Sequence, residues 1–287
     1  MNITNKCNNR CLYCISYSTR NNVSLDMNAL DSIKSVNKKY KFNKDDLFVV
    51  NGGEPTVSDE ISSILDFLLE TGIAIRVYTN GRKLYEQKFL SYLTNENIHW
   101  IIPFYGTTSI HDKYTGVKTS FQDTKKSLMA FPLGDKKNYS IKLLIGSLSQ
   151  IESFELLLNN TITTNTIHIS LLLYEDYKKR MQLAVELRPF INSLARRGYS
   201  LKFSNFPLCA LTADLKKLLE LYDGIRDVTI NEYYFILSNN AYKIDYDKNH
   251  NWDKKCTDCS FHSLCVDNSK KYRALVFDSN TVYLGEE

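Results

Sequence analysis

Apolar residues recur along the first two thirds of the chain in two alternating rhythms. Runs rich in β-branched and aromatic residues fall at residues 47–50, 73–78, 98–104, 141–145 and 167–173. Short, continuous apolar runs of this kind suit strands buried on both faces. Between them the spacing changes to threes and fours. Ile61, Ile64, Leu65 and Leu68 predict one helix, and Leu183, Leu187, Ile191 and Leu194 another. Pro189 lies inside the second stretch and predicts a kink or a split, because proline lacks the N–H a helix interior needs. With a short strand at residues 2–4, the pattern makes six strand–helix units. Repeated units imply a parallel sheet with right-handed crossovers. Six strands are too few to close an eight-stranded barrel. The predicted fold is therefore α/β, a partial (βα)6 TIM-like barrel with ligands at the C-terminal ends of its strands.

Beyond about residue 200 the rhythm is lost. Short strands at 201–204, 233–236 and 274–277 alternate with loops and cysteines. This predicts two parts, a barrel over residues 1–200 and a small α+β domain over residues 201–287. Of the 287 residues, 43% are apolar and 24% charged, the balance of an ordinary globular protein. The formal net charge of +4 is too small to argue for a nucleic-acid partner. No apolar run is long enough to span a membrane, and the first residues are polar, so a cytoplasmic location is expected. In a reducing compartment the seven cysteines are better read as metal ligands or catalytic groups than as disulfides.

The cysteines divide into two groups. Cys7, Cys11 and Cys14 are separated by three and two residues; Cys209, Cys256, Cys259 and Cys265 come much later. Three thiolates suit three irons of a cubane cluster and leave one iron open for chemistry. Zinc is the rival reading, but it wants a fourth ligand nearby, and the first histidine is His99. The Cys7–Cys14 spacing, with Tyr13 before the last cysteine, resembles the signature of the radical S-adenosylmethionine (SAM) superfamily. The resemblance implies a [4Fe–4S] cluster on Cys7, Cys11 and Cys14 as the catalytic centre. SAM would chelate the open iron, and an electron from the cluster would cleave it to methionine and a 5′-deoxyadenosyl radical.

Further motifs add to the resemblance. Gly52-Gly53-Glu54-Pro55 follows the second predicted strand, where two glycines allow close backbone approach and Glu54 offers a carboxylate; in the superfamily such a motif binds the SAM ammonium. Thr79-Asn80-Gly81 resembles a turn found near SAM, or is a plain turn. Lys142 and Ser147 stand where they would reach the SAM carboxylate or ribose. Pro103–Gly106, His111-Asp112, Thr115-Gly116 and Ser120-Phe121 are similar to a stretch of peptide maturases of the His-Xaa-Ser type. His111 is expected to face substrate or SAM, or to cap a loop at the surface. His168, inside an apolar strand, is expected to be a satisfied core histidine.

The four C-terminal cysteines can hold a second [4Fe–4S] cluster or a structural zinc, with His262 an alternative zinc ligand. The arrangement resembles the auxiliary twitch or SPASM-type domains of radical SAM enzymes, which implies an auxiliary cluster. All seven cysteines would then be used, leaving none to donate hydrogen as radical epimerases require. The expected activity is oxidative modification of a peptide: cross-linking, cyclisation or dehydrogenation. A small metabolite or RNA is the alternative substrate, and a zinc-binding module the non-enzymatic reading. Expected partners are a peptide or small-molecule substrate, a flavodoxin- or ferredoxin-type electron donor, and a separate peptide-presenting protein.

Overall fold

The computed structural model describes residues 1–14, 28–44, 46–132, 138–160, 164, 166–172, 177–204, 206–207, 210, 275–277 and 282–284. Cys209, Cys256, Cys259, Cys265 and the strand expected at residues 233–236 lie outside the described residues. Six strands form one parallel sheet in chain order: β1 (Leu47–Val50), β2 (Ala74–Tyr78), β3 (Ile98–Phe104), β4 (Tyr139–Ile145), β5 (Thr166–Leu171) and β6 (Ser200–Ser204). The described helices are α1 (Ala29–Tyr40), α2 (Ile61–Glu70), α3 (Gln87–Leu93), α4 (Thr108–Thr115), α5 (Ser120–Ala130), α6 (Ile151–Asn160), α7 (Tyr177–Glu186) and α8 (Arg188–Arg196). Among the described strands β1 and β6 do not pair with each other, so the sheet is open as expected.

The core forms where helix stripes meet one face of the sheet. Ile61, Ile64, Leu65 and Leu68 of α2 are all fully buried, as their spacing predicts. On β2, Ile75 and Val77 are sealed while Arg76 and Tyr78 on the opposite face are half-buried. The two faces of the sheet thus have different jobs, one packing helices and one lining the interior. Pro189 sits at the start of α8, and the predicted long helix is split at Leu187 into α7 and α8. Proline's missing N–H costs nothing in a first helical turn.

Two expectations change at the edges. Residues 201–204, expected to open the C-terminal part, belong to the sixth strand of the main sheet, running from Thr166↔Ser200 to Ser170↔Ser204 beside β5. The loss of rhythm begins downstream of that strand. Residues 2–4 make a rung and not a full strand: Asn2 bridges Asn51 in parallel, and the Ile3 N–H donates to the Asn51 carbonyl at 2.9 Å. Near the end of the chain, β7 (Leu275–Phe277) and β8 (Val282–Leu284) pair antiparallel. No helix among the described residues is long and apolar enough to cross a membrane.

Candidate active site

A cavity of about 400 Å³ opens at the C-terminal ends of the strands, the face where such sheets bind ligands. Its wall brings together Cys7, Cys11 and Cys14 with Tyr13, Asn51–Glu54, Thr79 and Asn80. Asn9, Tyr78, Ile101, Pro103, Tyr105, Lys142, Leu144 and residues 170–172 complete the lining. Residues far apart in sequence meet there because each follows, or ends, a neighbouring parallel strand.

The cysteine loop is held by backbone contacts on two sides. Gly53 N–H donates to the Thr4 carbonyl at 2.7 Å and Glu54 N–H to the Lys6 carbonyl at 2.9 Å. A side chain on Gly53 would collide with the Lys6 carbonyl, so this approach requires glycine. On the other side, Arg10 N–H donates to the Thr115 carbonyl at 2.8 Å and Leu12 N–H to the Tyr114 carbonyl at 2.9 Å, at the C-terminal end of α4. Gly116, in the left-handed region at φ 68°, ends that helix, and its α-carbon faces the Arg10 carbonyl.

Arg82 clamps the same loop. Its guanidinium donates to the Asn8 carbonyl at 2.6 Å and to Asn9 Oδ1 at 3.1 Å, and pairs with Asp123 at 2.8 Å. Asn80 Nδ2 donates to Asn8 Oδ1 at 2.6 Å. The planar fork of arginine suits this convergence of acceptors better than a lysine would. Asp123 and Arg82 were not singled out from the sequence; their 41-residue separation carries no motif.

All three cysteines are half-buried, none is in a disulfide, and the Asn9 N–H approaches Cys7 Sγ at 3.4 Å. Among the described residues no three His, Cys, Asp or Glu side chains gather as the ligands of a single metal ion. Three thiols on one cavity wall are the donor set of a cubane cluster with one open iron.

Glu54 is 1% exposed. Its carboxylate accepts from Thr56 N–H at 3.0 Å, Thr56 O–H at 2.6 Å, Thr79 O–H at 2.5 Å and Asn80 N–H at 2.6 Å. Burial pushes its pKa upward, and these donors oppose the shift. Three donors fall on Oε1 and one on Oε2, which leaves Oε2 the greater remaining acceptor capacity. Pro55 begins a short 3-10 turn capped by that same carboxylate. Lys142 lines the cavity with its ammonium 5.7 Å from the Tyr78 ring centroid.

A column of rings stands beside the cysteines. Tyr13, 46% exposed, stacks on Tyr114 at 5.8 Å, and Tyr114 stacks on Tyr105 at 5.1 Å. Buried Tyr105 is hydrogen-bonded to Cys11; burial first, and then Cys11, drive its pKa upward. His111 neither faces the cavity nor caps a surface loop, which corrects the expectation from sequence. It is 2% exposed, is surrounded by Phe104, Tyr105 and Phe121, and accepts at Nδ1 from the Tyr105 N–H at 3.4 Å. Burial, with the charge of Arg82, pulls its pKa down to about 3, so the ring is neutral. Ser147 is not among the lining residues. It caps the 3-10 turn Leu148–Gln150 and bonds Ser149 Oγ at 2.7 Å.

His168 is half-buried and bonded as expected, but in a polar network. Ser140 Oγ lies 2.9 Å from His99 Nε2 and 3.1 Å from His168 Nε2. The serine hydroxyl has one proton, so it donates to one imidazole and accepts from the other.

Residues 1–132 match the model of the Radical SAM superfamily. A Methanocaldococcus jannaschii protein described as a glycyl-radical enzyme activating enzyme is 32% identical over 98 residues, 34% of this chain and 36% of that protein. The match therefore spans about a third of that relative's length. Streptococcus suis SuiB bound to S-adenosylmethionine superposes with a TM-score of 0.51 at 16% identity, over 69% of this chain and 44% of SuiB. Native anSMEcpe with bound AdoMet and a Cp18Cys peptide superposes at 0.58 and 14% identity, over 91% of this chain and 85% of that one. These likenesses show the fold, a partial barrel of parallel strands. The residues that match that model, 1–132, carry the cysteine loop, the Gly52–Glu54 turn and the Arg82 clamp.

Proposed function

We propose that the protein is a radical SAM enzyme that oxidatively modifies a peptide. The observation that carries this reading is the meeting of Cys7, Cys11, Cys14, Glu54 and Lys142 on one cavity wall. A [4Fe–4S] cluster bound by the three cysteines would supply the electron that cleaves SAM, and the resulting 5′-deoxyadenosyl radical would take hydrogen from the substrate. Glu54 would accept from the methionine ammonium, while Thr56, Thr79 and Asn80 hold the carboxylate in place. Lys142 would reach the SAM carboxylate or ribose. Tyr13, stacked on Tyr114, stands beside Cys14 on the same cavity wall.

The peptide substrate draws support from two solved structures that share the fold: SuiB bound to its precursor peptide SuiA, and anSMEcpe with a bound peptide. In this reading Cys209, Cys256, Cys259 and Cys265 hold an auxiliary [4Fe–4S] cluster. Such a cluster would supply an acceptor for the electron left on the substrate after hydrogen abstraction, and the net reaction would then be an oxidation. A flavodoxin- or ferredoxin-type protein supplies the first electron.

Anaerobic reconstitution tests the proposal. About eight irons per chain and 5′-deoxyadenosine formed from SAM under a reductant are expected. About four irons with one zinc would remove the auxiliary cluster. A colourless protein holding two zincs would overturn the enzymatic reading. Salt-sensitive RNA binding would move the substrate from peptide to nucleic acid.

A further inference from the structure

Gln150 is buried, and every polar site of its amide is hydrogen-bonded. Oε1 accepts from the Gly146 N–H at 2.6 Å and from the Ser147 N–H at 3.1 Å. Nε2 donates to the Tyr105 carbonyl at 2.6 Å and to the Leu144 carbonyl at 3.0 Å. Turning the amide over would set its oxygen against two carbonyls and its nitrogen against two N–H groups, so its orientation is fixed. The bonds to Oε1 close a capping box over the turn Leu148–Gln150, with Ser147 as the other half. A capping box asks only for an acceptor at that position, and glutamate serves there as well as glutamine. What glutamine adds is the pair of donors, and both are used outside the turn.

They are used at the cavity wall. The ladder between β3 and β4 ends at Phe104↔Leu143. One step further on, Tyr105 and Leu144 both line the cavity, and the Gln150 amide spans their carbonyls; Gln150 itself does not line it. Neighbours in the same segment hold the same loops. Ser153 Oγ lies 2.8 Å from Thr107 Oγ1, and the Ser147 side chain is hydrogen-bonded to Tyr114. Tyr114 lies on Tyr105 with ring planes 11° apart, and its carbonyl receives the Leu12 N–H of the cysteine loop. Tyr105 in turn is bonded to Cys11. A continuous chain of contacts thus runs from the Gln150 amide through the stacked tyrosines to the cysteine loop.

We propose that Gln150 is a positioning residue for the catalytic centre: it fixes the backbone of Tyr105 so that the tyrosine hydroxyl stays on the Cys11 sulfur. The inference rests on the enzymatic reading above, with a cluster on Cys7, Cys11 and Cys14. Gln150 touches no cysteine and acts only through Tyr105. A hydrogen bond to a ligating sulfur helps set a cluster's reduction potential, so that potential is where the role is read.

Redox titration of the reconstituted full chain tests it, followed on the EPR signal that changes when SAM is added. Gln150→Glu keeps the acceptor that closes the turn and removes the donors to Tyr105 and Leu144. It should move the midpoint to more negative values, as expected when a sulfur loses a donor. Gln150→Met is uncharged and of similar volume, and it should repeat the shift. A shift caused by the added negative charge alone would be absent from Gln150→Met. Tyr105→Phe should move the midpoint in the same direction. The double variant Gln150→Met with Tyr105→Phe should match Tyr105→Phe alone, because both changes act through one hydroxyl. An unchanged midpoint in Gln150→Met, or additive shifts in the double variant, would overturn the proposal. So would loss of far-UV circular dichroism in both Gln150 variants, which would make the amide a requirement of folding only. If the wild-type chain assembles no iron on these cysteines, the enzymatic reading falls and this inference with it. If the wild type binds iron and cleaves SAM while the Gln150 variants keep its midpoint, only the inference falls.

Discussion

His111 and Tyr105 show how surroundings rewrite a side chain's chemistry. The neutral imidazole of His111 sits in a cage of rings, with a pKa near 3 against the usual 6.5. In the unfolded chain it would take up a proton as pH falls below 6.5, but in the folded chain it would not. Its contribution to stability is therefore complete above pH 6.5 and is lost progressively as pH falls toward 3. His111→Phe should be less stable at neutral pH by about 1–3 kcal/mol, because the Tyr105 N–H loses its acceptor. Between pH 6.5 and 4 its urea midpoint should fall less steeply than that of wild type; parallel slopes would contradict the assignment. Tyr105→Phe keeps the ring stack and removes the hydroxyl from Cys11. Losing a donor to sulfur should move the midpoint potential of a reconstituted cluster to more negative values, read by EPR-monitored redox titration. The sequence placed His111 and Tyr105 near the site through their motif. It could not show the cage, because Phe104, Tyr105 and Phe121 close around the imidazole only after β3, α4 and α5 have packed.

Strands and loops were legible where they left a local pattern. The β-branched runs of β1 to β5, the α2 stripe and the break at Pro189 all follow from spacing and backbone chemistry. The place of β6 did not, because its membership depends on pairing with β5, and pairing is not written in the strand's own residues. Contacts between loops make firm predictions. Gly53→Ala drives a methyl group into the Lys6 carbonyl, and neither backbone can yield without moving the cysteine loop. A loss of about 1–3 kcal/mol in stability is expected, and iron content after reconstitution should drop with it. Arg82→Lys keeps the charge but not the fork that joins Asn8, Asn9 and Asp123. It too should retain less iron than wild type, with far-UV circular dichroism unchanged.

For the molecule as a whole, the division of cysteines into three and four makes the two proposed clusters separable. Cys256→Ser with Cys259→Ser should lower iron from about eight to about four per chain while 5′-deoxyadenosine still forms. Cys11→Ala should abolish SAM cleavage. The cysteine loop's attachment to α4 bears on a different property, the energy of the electron that the proposed cluster would take up. The Arg10 and Leu12 amides are committed to carbonyls at the tail of that helix, the negative end of its dipole, and so cannot turn toward sulfur. Iron centres with fewer amide donors at sulfur are harder to reduce. A redox protein that fed the proposed cluster would therefore have to be a strong reductant, and a mild one would leave it oxidised.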